Sequence, residues 1–146
     1  MERILISACL VGDNVKYDGG NNKNPLIAKL LEKYELVPFC PEVEGGLPIP
    51  RHPCEQRGEL VINDINEDVT DNFLKGADLA YNICMFLHIK IAILKEKSPS
   101  CGVHQIYDGS FTHKTISGMG VTASYLKNKG IQVYNEDEIP NLLNLD

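Results

Sequence analysis

Five cysteines, Cys9, Cys40, Cys54, Cys84 and Cys101, carry the main chemical potential of this 146-residue chain. The number is odd and too small for a disulfide-stapled secreted scaffold, which leaves thiols, metal ligands or core fillers. A phosphatase needs an arginine six positions after its cysteine, so that loop amides and a guanidinium cradle the phosphate. Val15, Gly46, Leu60, Lys90 and Tyr107 stand at those positions, and that chemistry is excluded. No CxxC pair is present either, which argues against a structural zinc site built from close ligand pairs.

The elements around the thiols sort them. Ile4-Leu5-Ile6-Ser7-Ala8 reads as a strand buried on both faces, and Cys9 follows it directly. Leu36-Val37-Pro38-Phe39 reads as a second strand, followed at once by Cys40. Ile91-Ala92-Ile93-Leu94 reads as a third, with Cys101 in the loop beyond it. Ligands of open parallel sheets bind outside the carboxyl ends of the strands, so Cys9, Cys40 and Cys101 are expected at one functional edge. Cys84 falls on the apolar stripe Phe73, Ala77, Ala80, Cys84 and Leu87 of a helix over 68–87, where a small core filler is expected. Cys54 lies in a Gly- and Pro-rich loop over 41–57. Placement alone leaves burial, zinc completed by water or His104, and an iron–sulfur cluster as open readings.

Further helices are expected over 25–33, 120–129 and 137–145, with a fourth strand over 131–134. A small hairpin, Gln105–Tyr107 with Phe111–His113, is expected around Asp108-Gly109. Strands alternating with helices imply one domain over 1–146, a small Rossmann-like three-layer α/β sandwich with a mainly parallel sheet of about four strands. Hydrophobic residues at 43% suit a globular chain, and Lys plus Arg at 14 against 20 Asp plus Glu gives a net charge of −6. That balance disfavours tight nucleic-acid binding. No apolar run is long enough for a membrane span. Ile6-Ser7-Ala8-Cys9 has the form of a lipoprotein signal end, but too few apolar residues precede it, and a cytoplasmic location is expected.

Around the thiols runs a longer pattern. It comprises Cys9-Leu10-Val11-Gly12, the Val15–Gly20 segment VKYDGG, Cys40–Arg51 as CPEVEGGLPIPR, Lys97–Gly102 as KSPSCG, and the later segments Tyr107–Phe111 and Gly118–Ala123. In this order, over essentially the whole chain, it resembles the bacterial TudS-type thiouracil desulfurase family. The resemblance implies a 4Fe-4S cluster held by Cys9, Cys40 and Cys101 with one iron open. It implies that the sulfur of a thiouracil-type base, nucleoside or nucleotide binds that iron while water attacks the adjacent ring carbon. A uracil derivative and hydrosulfide then leave without net redox change.

Glu42 corresponds to the family's acid/base residue, with Glu44 as its rival, and Ser98 matches a serine expected to contact the substrate or the reacting sulfur. Tyr17, Asp18, Arg51 and Ser100 are candidate substrate contacts, against plainer roles as turn formers and loop anchors, and Arg51 could pin either an anion or Glu42. Gly118-Met119-Gly120 before a helix offers amides that could hold an anion. The implied partners are a small thiolated pyrimidine and the iron–sulfur assembly machinery. One departure stands out: the family's Pro-Pro-Ala-Glu after the arginine reads His52-Pro53-Cys54-Glu55 here. Cys54, His52 or His104 as a fourth ligand would close the cluster, or complete a zinc site. The protein would then be a non-catalytic metal-binding or redox-sensing module.

Overall fold

Short apolar runs build the centre of the molecule. The computed structural model describes residues 1–144. Its first half contains β1 (Glu2–Ser7), α1 (Ile27–Lys33), β2 (Tyr34–Phe39), α2 (Pro41–Glu44), β3 (Cys54–Arg57), β4 (Leu60–Asn63) and α3 (Thr70–Leu87). Then come β5 (Ile91–Leu94), β6 (Gln105–Tyr107), β7 (Thr115–Ser117), α4 (Val121–Asn128), β8 (Gln132–Asn135) and α5 (Ile139–Leu142). One four-stranded sheet has the order β2-β1-β5-β8, and each of its pairings is parallel.

Side chains alternate across this sheet with period two. Leu5, Ala92 and Leu94 pack on Ala80 and Cys84 of α3 and on Ala123 and Leu126 of α4. Ile4, Ile6, Ile91 and Ile93 pack the other way, on Ile27 and Leu30 of α1 and on Ile139 and Leu143. The result is the three-layer sandwich expected, with Cys84 as a core filler at 1% exposure. Each such buried Ile or Leu contributes roughly 1.5–3 kcal/mol. Pro38 is tolerated because β2 is an edge strand with β1 as its one neighbour. The strand order reverses between β1 and β5, so the crevice for a ligand lies beyond Ser7 and Leu94.

The departures from expectation lie outside the sheet. The 41–57 stretch holds α2 and β3, and β3 pairs antiparallel with β4, Cys54 opposite Asn63. Polar β3 has no apolar alternation to announce it, and the hairpin is secured instead by packing among Cys54, Val61 and Phe73. The second hairpin pairs Tyr107 with Thr115, a wider connection than expected. Glu55 captures the amides of Gly109 and Phe111 at 2.9 and 3.1 Å, and Phe111 and His113 take φ of 58° and 63°, which no strand allows. The last expected helix divides into a 3-10 turn over Glu136–Glu138, capped by Asn135, and α5. Leu145 lies outside the described residues.

Two glycines seat α2. A Cβ on Gly76 would stand 2.0 Å from the Pro41 carbonyl oxygen, and one on Gly45 2.1 Å from that of Asn72. Helices α2 and α3 therefore meet backbone to backbone, and this contact sets where Cys40 and Glu42 face.

Candidate active site

Three crossovers deliver the thiols. Cys9 sits in the 3-10 turn after β1, Cys40 caps the start of α2, and Cys101 lies in the loop after β5. Cys40 acts on Cys9, and both act on Cys101. Burial pushes all three thiols up, most of all Cys101; neighbouring thiols add to it at Cys9 and Cys101, and Glu42 adds to it at Cys40. Opposing this, Asn22 hydrogen-bonds Cys9, the Val43 and Glu42 amides serve Cys40, and Ser7 bonds Cys101. Among the described residues, no three His, Cys, Asp or Glu side chains converge on the position of one metal ion.

Glu42 stands beside this triad, its charge acting on Cys40 and Cys101. Burial raises its carboxyl and outweighs the opposing pull of Arg51. Arg51 Nε donates to Glu42 Oε1 at 3.0 Å, Nη2 to the Val15 carbonyl at 2.8 Å and Nη1 to the Pro48 carbonyl at 3.3 Å. No hydrogen bond among the described residues engages Glu42 Oε2. Glu44, the rival carboxylate, is exposed.

A groove of about 680 Å³ opens beside the pair, walled by Tyr17, Asp18, Pro48, Pro50, Arg51 and Cys54 among others. The triad itself is not among its walls. Across the triad, Ser98 Oγ accepts from the Ser100 and Cys101 amides at 3.1 and 3.0 Å, which leaves its hydroxyl hydrogen available.

This arrangement joins three thiols, a desolvated carboxylate and a hydroxyl at one sheet edge. A family profile for 2-thiouracil desulfurase matches residues 4–138, which span every one of these side chains. The chain belongs to the 2-thiouracil desulfurase family. The solved structure of the 4Fe-4S-dependent thiouracil desulfidase TudS superposes on it with a TM-score of 0.92 at 44% identity, over 97% of this chain and 95% of that one. The uncharacterized protein YbbK of Bacillus subtilis (strain 168) is 39% identical over 150 residues, 96% of this chain and 99% of that protein.

Within this desulfurase fold, several expected contacts take other roles. Ser100 is fully buried and shares a 2.9 Å hydrogen bond with Thr122, which anchors the loop to α4. Arg51 is committed to Glu42 and two carbonyls, a clamp on the carboxylate in place of a free anion hook. Asp18 Oδ1 accepts from the Gly20 amide at 2.9 Å, shaping the turn while its residue lines the groove. The Gly118 and Gly120 amides are spent on the His104 and Gly102 carbonyls, so the expected anion site is absent there. His52 pairs with Asp64 at 2.8 Å and His104 with Glu138 at 2.9 Å. Cys54, pushed up to about 12 by burial, is acted on by Glu42, Arg51 and Asp64.

Sequence reasoning missed Ser7, Asn22, Lys95 and Glu96. Ser7 Oγ accepts the Lys95 amide at 2.9 Å, Lys95 acts on Cys9, and its Nζ meets Glu136 Oε2 at 3.0 Å. The available signal was positional: Ser7 closes one strand beside the reversal in strand order, and Lys95 and Glu96 follow the other.

Proposed function

We propose that this chain is a single-domain thiouracil desulfurase in which Cys9, Cys40 and Cys101 hold a 4Fe-4S cluster with one iron open. The observation that carries the reading is the coupling of three separately delivered thiols, two half-buried and one fully buried, at one end of the sheet. Burial and repulsion keep such thiols protonated unless a cation shares the space, and metal binding expels those protons. Thiolates on one zinc lie roughly 3.8 Å apart, given Zn–S bonds of about 2.3 Å. A cluster, which spreads its ligands over separate irons, suits thiols that form no single-ion site among the described residues.

When bound, the cluster supplies a Lewis-acidic iron that withdraws charge from a thiocarbonyl sulfur. The protein supplies the proton transfers. Glu42 Oε2 takes a proton from the attacking water, while Arg51 holds Oε1 and fixes the direction of the carboxylate. The Ser98 hydroxyl donates toward the sulfur as the C–S bond breaks. Tyr17 and Asp18 orient the pyrimidine from the groove. Water's oxygen ends on the ring carbon and sulfur leaves as hydrosulfide, with no electron acceptor required.

The substrate is thus a small thiolated pyrimidine: base, nucleoside or nucleotide. Loading by the iron–sulfur assembly machinery and a cytoplasmic location belong to the same reading. No helix among the described residues is long and apolar enough to cross a membrane. The non-catalytic module is disfavoured, because His52 and His104 are engaged by carboxylates and Cys54 Sγ donates to the His52 carbonyl at 3.4 Å.

The test is anaerobic reconstitution followed by incubation with 2-thiouracil. Uracil and sulfide should appear in equal amounts from protein holding about four irons per chain, and Cys40→Ser should lose both iron and turnover. A fully loaded wild-type chain that forms no uracil from thiouracil, its nucleoside or its nucleotide would overturn the reading.

A further inference from the structure

We propose that Glu96 is the positioning residue for the third thiol, its carboxylate acting as the hub on which the 97–105 loop is wrapped so that Cys101 meets Cys9 and Cys40. The inference rests on the reading of Cys101 as a cluster ligand. Glu96 touches no reacting atom and acts through the loop alone.

An irregular loop that carries a buried thiol also carries buried amides, and these need acceptors. Two side chains provide them. Ser98 Oγ serves the Ser100 and Cys101 amides from within the loop. Glu96 serves both flanks of the thiol. Before it, the Lys97 amide donates to Oε1 at 3.2 Å, aided by a left-handed φ of 66° at Lys97. After it, the Val103, His104 and Gln105 amides donate to Oε1 at 2.8, 3.0 and 3.0 Å.

The second oxygen is occupied too. Oε2 accepts from His104 N at 3.1 Å and from Asn135 Nδ2 at 2.8 Å, which ties the hub to the end of β8. The Glu96 amide itself donates to Glu136 Oε1 at 2.7 Å. The residue is only 9% exposed, so water is a poor substitute for these contacts. Replacement by glutamine keeps the shape but presents an NH2 group where an oxygen stood. Either orientation of that amide faces N–H donors, and one flank of the loop must open.

The experiment compares anaerobically reconstituted wild type, Glu96→Gln and Leu30→Ala, the last creating a cavity on the opposite face of the sheet. Circular dichroism of the apo proteins reports folding, and decay of the cluster's visible absorption under an iron chelator reports retention. Glu96→Gln should release its cluster about 10- to 100-fold faster than wild type, while Leu30→Ala, though less stable, should release it at the wild-type rate. A wild-type rate in Glu96→Gln, or equal acceleration in Leu30→Ala, overturns the proposal. Should Glu96→Gln not fold, the decision passes to Asn135→Asp, which keeps the cap oxygen but turns the donor on Glu96 into an acceptor. Faster release there supports the hub, and an unchanged rate overturns it. A wild-type chain that takes up no cluster overturns the underlying desulfurase reading, whereas a loaded wild type with unaltered variants overturns this proposal alone.

Discussion

Glu42 and Glu96 are both carboxylates largely withdrawn from water, and the structure drives them in opposite directions. Glu42 faces burial with one guanidinium as its hydrogen-bond partner, and its carboxyl rises. Glu96 is also raised by burial, but the Asn135 amide and the amides of Gln105, His104 and Lys97 overrule that and hold it at about 2. The difference lies in how many donors converge on the charge, and depth of burial alone does not decide it. A carboxylate left with one free oxygen remains available to exchange a proton. One saturated by donors is fixed as an anion and becomes architecture.

The contrast breaks first at Glu42. Glu42→Gln should retain its iron yet lose on the order of 10²–10⁴ in kcat, read by uracil release from loaded protein. Wild-type turnover would deny it the proton-transfer role. The next effect concerns Glu96 and acid. A depressed folded value gives stabilisation that is complete above the ordinary 4.5 and is lost as pH falls through about 2. Denaturant melts of apo wild type and Glu96→Gln should therefore differ by about 3 kcal/mol at neutral pH and converge across that window. A gap that stays constant with pH would remove the charge from the account.

Gly76→Ala sharpens the Glu42 side, since the added methyl presses on the Pro41 carbonyl that precedes the carboxylate. A loss of about 1–3 kcal/mol is expected, with turnover falling more than cluster content. The smallest effect belongs to Cys54→Ala: unchanged desulfuration and about 1 kcal/mol of lost stability. Abolished turnover would instead place Cys54 in the chemistry.

Much of this plan was legible in the residue pattern, for physical reasons. The runs ending at Ser7, Phe39 and Leu94 are apolar on both faces, and that continuity marks a central parallel sheet. Knowing the strand ends placed Cys9, Cys40 and Cys101 at one edge before any coordinates. What could not be read were contacts between segments far apart in the chain. The β3–β4 hairpin has no periodicity of its own and depends on Phe73. Ser100 looked like a substrate contact because a serine beside a cysteine carries no sign of which way it turns; Thr122 decides that. Glu96 resembled any charged residue after a strand, since its partners span Lys97 to Asn135.

The proposed cradle draws its first thiol from the turn after the opening strand and its last from beyond the third strand of the sheet, so on this reading no short stretch of chain grips iron alone. Cys101 packs within the hydrophobic cluster on one side of the sheet and Cys9 against the cluster on the other, so on the proposed reading the thiols come together only once both sides have packed. On that reading the expected order is architecture first and metal second. Unlike a zinc finger, this protein should survive chelation as a folded, colourless and reloadable shell.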